Sequence, residues 1–256
     1  MIYTDLNTEI DVGSSGHLIE FGPFRALVDC GLHPKYMGLS ALPNLSKVPP
    51  ETLDFIAVTH THLDHCGSLP VVARHQSSAH ILVADESYEL LFRMLRNSRT
   101  VMAKQREEFN IKEYPLFDYS AIDELRSRVA PFAHTRRYEI DGNLADITFY
   151  PAGHIPGAAS VMFEYKKQKI LFSGDISFHS TGILKGAVPP QGKVDTLVVF
   201  EARRHDIRQR SRAVCSLGLP RTKRRRKRAC ARICARQNAG DSLYNLQGEK
   251  ERADSV

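Results

Sequence analysis

The chain is poor in the features of a secreted, membrane-spanning or fibrous protein. Its five cysteines, an odd number spread over 256 residues, do not make a disulfide framework, and reduced thiols fit a cytoplasmic location. No apolar run approaches the ~18–20 residues that a membrane span needs, and the opening MIYTDLNTEI lacks a signal-peptide pattern. With 16 Gly and 13 Pro the chain is not collagen-like, and 42% hydrophobic against 25% charged residues excludes a wholly disordered chain. It has no internal repeat, no Gly-rich phosphate loop and no nucleophile elbow. What remains is an ordinary globular composition, long enough for one large domain or one domain with a tail.

The net charge of +6 is unevenly placed. Residues 201–256 hold 13 Arg and 3 Lys against six acids, a local +10, so the first 200 residues carry −4. The basic character belongs to the last fifth of the chain, and the body is mildly acidic.

Up to about residue 200 the pattern alternates between strands and helices. Residues 16–21 and 24–29 are short apolar-rich runs around Gly22-Pro23, a hairpin signal. Residues 55–58 and 80–83 read as buried strands. The second of these leads into a helix with Tyr88, Leu91, Phe92 and Leu95 on one face. Ser120, with Asp123 three residues on, predicts an N-cap for a helix running to Val129. Residues 145–150, 160–165, 169–172 and 196–200 are strand-like. Roughly eight strands with three or four helices predict an α/β layered body.

The chemistry concentrates in Thr59–Gly67, THTHLDHCG, directly after the strand at 55–58 and before a helix-like segment from Gly67 to about His75. Four potential ligands within six residues are not core packing. Alternation on an extended chain lets His60 and His62 reach one metal together, and after a turn Asp64 and His65 can address a second. Imidazole and carboxylate ligands with room for water are what catalytic zinc uses. The competing reading is a polar loop with Asp64 capping the next helix. Two further pieces sit at strand ends: His154 in PAGHIPG, and Asp175 in SGD. Each alone is a turn signal. Together with the first cluster they supply a third histidine and a carboxylate able to bridge two metals. Asp29, at a strand end before Cys30-Gly31, is placed to orient the histidine loop, or is a turn former. Cys66 reads as a small buried thiol, with a soft metal ligand as the alternative. His17, His33, His75, His80, His134, His179 and His205 have no such partners and read as surface or packing residues.

GHLIEFGPFRALVDCG, THTHLDHCG, PAGHIPGAAS and ILFSGDIS make residues 1–201 resemble the N-terminal part of a metallo-β-lactamase-fold hydrolase. The wording of GHIPGAAS and of Val198-Val199-Phe200-Glu201 resembles the β-CASP branch, which includes ribonuclease J-like enzymes and the polyadenylation-factor endonuclease. The resemblance implies an αββα sandwich, here incomplete and lacking its closing C-terminal elements. It implies that His60, His62 and His154 hold one zinc and that Asp64, His65 and Asp175 hold the other, with Asp175 bridging. Asp64, His65 and Asp175 are then the catalytic set, serving a hydroxide between the metals that attacks phosphorus in line.

In the family the acid at Glu201 precedes a Thr-Tyr-Gly-like stretch and the inserted β-CASP domain. Here it precedes Ala202-Arg203-Arg204, and nothing later matches. The expectation is therefore a lactamase-type domain at 1–201, with an incomplete second metal site, and a disordered Arg-rich tail at 202–256. That tail is either a phosphate-binding segment or an out-of-frame ending, as the excess of Arg over Lys and the clustered cysteines suggest. The functional expectation is a zinc-dependent phosphodiesterase acting on RNA or other single-stranded nucleic acid, reduced or inactive in this chain. The alternatives are a hydrolase of small esters, thioesters or lactones, and a non-enzymatic metal- and RNA-binding remnant.

Overall fold

A computed structural model describes residues 1–7, 13–142 and 144–199. Glu201 and the Arg-rich segment 202–256, with His205, lie outside the described residues. Two sheets pack face to face. The first has six strands in chain order: β1 (Ile2–Asp5), β2 (Gly16–Phe21), β3 (Phe24–Cys30), β4 (Phe55–Val58), β5 (His80–Ala84) and β6 (Val129–Phe132). β1–β3 run antiparallel and β3–β6 run parallel. The second sheet has the order β11-β10-β9-β8-β7, from β7 (Arg137–Ile140), β8 (Ala145–Pro151), β9 (Ala159–Tyr165), β10 (Gln168–Phe172) and β11 (Thr196–Val198). Only β10–β11 is parallel in this sheet.

Side chains alternate across a strand, so each sheet sends every second residue inward. Ile19, Phe21, Val28, Ala57 and Leu82 of the first sheet meet Ile147, Phe149, Val161, Phe163 and Phe172 of the second, all of them buried. The outer face of the first sheet carries Leu27, Ile56, Val58, Ile81 and Val83 against the helices. These are α1 (Leu63–Cys66), α2 (Leu69–His75), α3 (Tyr88–Phe109) and α4 (Tyr119–Arg128). Leu91, Phe92 and Leu95 of the predicted face are buried in α3 together with Met102, and Tyr88 is partly buried against the same core. Among the described residues, helices cover one outer face only, an αββ arrangement consistent with an incomplete αββα sandwich. No described helix is long and apolar enough to cross a membrane.

Two expectations about local structure are corrected. The cap of α4 is Asp118, whose carboxylate accepts from the Ala121 amide, and Ser120 donates to that carboxylate instead of capping. The segment after the histidines is two helices: Leu63–Cys66 already holds Asp64 and His65 in helical conformation, and Leu69–His75 follows. Asp64 lies inside that first turn and caps neither helix, since the cap positions are His62 and Ser68 and neither makes a side-chain capping bond.

Candidate metal centre

The centre is built where chain segments leave the strands at one edge of the sandwich. β4 ends at Val58, so His60 and His62 lie in the extended segment beyond it and Asp64 and His65 on α1. His154 sits between β8 and β9, and Asp175 three residues after β10. Backbone hydrogen bonds fix the ligand loop. The Ser15 amide donates to the Asp64 carbonyl at 2.8 Å and the Leu32 amide to the Leu63 carbonyl at 2.8 Å. Gly31 is required by this approach, because a Cβ there would lie 1.6 Å from the Asp64 carbonyl oxygen.

The structure brings all six sequence-predicted ligand residues together. His60 Nε2 is 3.1 Å from His62 Nδ1, and His154 Nε2 is 3.2 Å from the same atom. Asp175 Oδ2 lies 3.4 Å from His154 Nε2 and 4.0 Å from His60 Nε2. One ligand atom from each of these four residues falls within 4.8 Å of the others, a group that could hold a metal ion. Zn–N bonds of about 2.0–2.1 Å in a tetrahedron put ligand nitrogens about 3.3–3.4 Å apart, so the three imidazoles fit such an ion. The other oxygen of Asp175, Oδ1, faces His65 Nε2 at 3.6 Å, and Asp64 Oδ2 is 3.9 Å from that nitrogen. Asp175 thus addresses both halves of the cluster.

Asp29 lies beneath the cluster, fully buried. The β2–β3 register shifts between Gly16, opposite Cys30, and His17, opposite Val28. Asp29 is the extra residue of this bulge and takes a positive φ of 61°. Bulges re-aim side chains, and Asp tolerates the left-handed region better than most residues. The Asp29 carboxylate accepts from the Thr59 amide at 2.7 Å, the Thr59 hydroxyl at 2.8 Å and His65 Nδ1 at 2.8 Å. These bonds tie Asp29 to the loop that carries the histidines. Thr59 was missed by sequence reasoning: its hydroxyl also sits 3.1 Å from His60 Nδ1. Only its place beside the first histidine hinted at a role.

Electrostatics suit ligation at His60 and His154. Burial, followed by the neighbouring histidines, lowers the His60 pKa, and burial also lowers that of His154. Burial works against charge on His65 as well, but Asp29, with Asp175 and Asp64, outweighs it and holds the ring up at about 9. Burial raises the Asp29 carboxyl, opposed by His65 and Thr59. Cys66 is a fully buried thiol raised by burial and packed in the helix-side core, as expected. His17 is fully buried between Tyr3 and Phe172, a packing residue with hydrogen bonds to Tyr3 and Ser15. His179 is exposed.

Two packed sheets with a histidine–aspartate cluster at their edge form the architecture of a metal-dependent hydrolase. The family model of the metallo-beta-lactamase superfamily matches residues 11–215, and the chain belongs to that superfamily. It is 28% identical over 201 residues to cleavage and polyadenylation specificity factor subunit 3-I of Arabidopsis thaliana, covering 78% of this chain and 28% of that protein. It is 29% identical over 202 residues to endoribonuclease ysh-1 of Neurospora crassa, covering 77% and 23%. It is 28% identical over 191 residues to cleavage and polyadenylation specificity factor 73 of Drosophila melanogaster, covering 73% and 26%. The chain spans about a quarter of the length of these relatives. Among solved structures, a protein of unknown function from Enterococcus faecalis V583 superimposes with a TM-score of 0.50, covering 69% of this chain and 44% of that one. At 12% identity this supports the fold alone.

Proposed function

We propose that this chain carries the zinc site of an RNA-cleaving phosphodiesterase, in which His60, His62 and His154 hold one ion, Asp64 and His65 hold a second, and Asp175 serves both. The observation that carries the reading is His62 Nδ1 lying 3.1 and 3.2 Å from the Nε2 atoms of His60 and His154, with the two Asp175 oxygens facing the two halves of the cluster. Bound ions supply Lewis-acid activation of water and stabilisation of the charge that builds on phosphate oxygens.

The protein's own groups set the conditions for that chemistry. Asp29 takes the Nδ1 proton of His65 in a hydrogen bond, so the ring points its Nε2 at Asp175 and Asp64. Burial keeps His60 and His154 neutral near pH 7, with lone pairs available. Asp64 and Asp175 offer carboxylates on the half-exposed side of the cluster, where a substrate phosphate can approach. RNA is the preferred substrate class because the relatives are named as an endoribonuclease and as cleavage and polyadenylation factors. Glu201, the acid expected before an inserted domain, belongs to the same reading.

The test is incubation of the zinc-loaded chain with single-stranded RNA, single-stranded DNA and a thioester. The expectation is RNA cleavage that Asp175→Ala lowers by at least 10²-fold and that chelation abolishes. Thioester turnover without RNA cleavage would replace this reading with the small-substrate hydrolase, and zinc binding without any turnover would replace it with a non-enzymatic one.

A further inference from the structure

We infer that Thr59 is a positioning residue that fixes the ring tautomer of His60, and that Asp29 thereby sets both His60 and His65 through one hydrogen-bond chain. This deepens the metal-site reading, since it rests on His60 being a ligand. Thr59 is 1% exposed and is held from several sides. Its amide and hydroxyl both reach Asp29, at 2.7 and 2.8 Å, and its carbonyl accepts from the Ala159 amide at 2.8 Å. Gly174, the residue before Asp175, packs so closely that a Cβ there would lie 2.8 Å from the Thr59 Cβ. The side chain is therefore locked in one rotamer.

A hydroxyl has one proton to give. The Asp29 carboxylate only accepts, and all its contacts here are with donors, so the Thr59 proton goes to Asp29 Oδ2. Toward His60 Nδ1, at 3.1 Å, the Thr59 oxygen can then only accept. His60 must carry its proton on Nδ1 and present Nε2 as a lone pair toward His62 and Asp175. His65 is oriented directly, by donating Nδ1–H to Asp29. One buried carboxylate thus aims the Nε2 atoms of two rings at the two halves of the cluster. A threonine serving only to fill space would make no demand on the tautomer.

Thr59→Val keeps the branched shape and removes the hydroxyl, whereas Thr59→Ser keeps the hydroxyl and removes the methyl. Two readouts are needed: imidazole ¹⁵N shifts in the metal-free protein, and zinc affinity by competition with a chromogenic chelator. The wild type should show His60 as the Nδ1–H tautomer. Thr59→Val should lose the Nδ1–H signature at His60 alone and bind zinc about 10–100-fold more weakly, the usual cost of removing an orienting partner. Thr59→Ser should stay within about threefold of wild type in affinity. The inference is overturned if Thr59→Val keeps the Nδ1–H tautomer and full zinc affinity, or if Thr59→Ser loses as much as Thr59→Val. If Thr59→Val does not fold, an Nε2–H tautomer at His60 in the wild type overturns it, and an Nδ1–H tautomer together with a wild-type-like Thr59→Ser supports it. Should the wild type bind no zinc, the metal-site reading fails, while the ¹⁵N shifts still decide what Thr59 does to His60.

Discussion

Asp29 shows how much of the site depends on a single backbone choice. Its φ of 61° lies where non-glycine residues are uncommon, at a cost of order 1–3 kcal/mol. Three hydrogen bonds, from Thr59 and His65, hold it there. The ligand residues were legible in the sequence because His60, His62, Asp64 and His65 are dense, and because His154 and Asp175 end strands. The bulge was not legible, since nothing in the letters Val28-Asp29-Cys30 marks an extra residue in a ladder. Nor was the hydroxyl of Thr59, one threonine among many. The same scale gives a sharp steric prediction. Gly31→Ala would place a Cβ 1.6 Å from the Asp64 carbonyl oxygen, so it should destabilise the chain by about 1–3 kcal/mol, as overpacking does, and weaken zinc binding with it. Gly182→Ala, with open space around it, should change stability by less than about 0.5 kcal/mol. Equal urea midpoints for the two variants would contradict the packing of the ligand loop against Gly31.

At the level of elements, the strands buried on both faces were read almost to the residue. β2, β4 and β5 begin where the apolar runs begin, because continuous apolar runs bounded by Gly, Pro or charged residues leave little choice. The missed strands are the peripheral ones: β1 and β6 edge the first sheet and β7 edges the second. They are short and partly exposed, and β6 contains Pro131, tolerated because an edge strand needs fewer ladder donors. β1 is fastened by Tyr3, whose hydroxyl lies 2.8 Å from His17 Nδ1 on β2. Burial, aided by the charge on His65, lowers the His17 pKa to about 3. An unfolded histidine titrates near ~6.5, so between those values the unfolded chain binds a proton that the folded chain refuses. Stability must therefore fall as pH drops from about 6.5 toward 3. Urea midpoints measured from pH 7.5 to 5 should fall more steeply for wild type than for His17→Gln. Parallel curves would show that His17 is not held neutral in the fold.

For the whole molecule, the two inner faces form one continuous core, and helices close one side among the described residues. The sandwich was legible from the order of strands and helices and from the resemblance carried by the ligand motifs. The central claim concerns the cluster at the sheet edge, and in a chain with five cysteines the competing ligands for zinc are thiolates. X-ray absorption at the zinc edge, on the zinc-loaded full chain, separates the two directly. The account predicts nitrogen and oxygen scatterers at about 2.0–2.1 Å and no sulfur, a spectrum that His62→Ala should abolish or alter. A sulfur shell at about 2.3 Å, unchanged in His62→Ala, would place the metal on the cysteines and contradict the assignment.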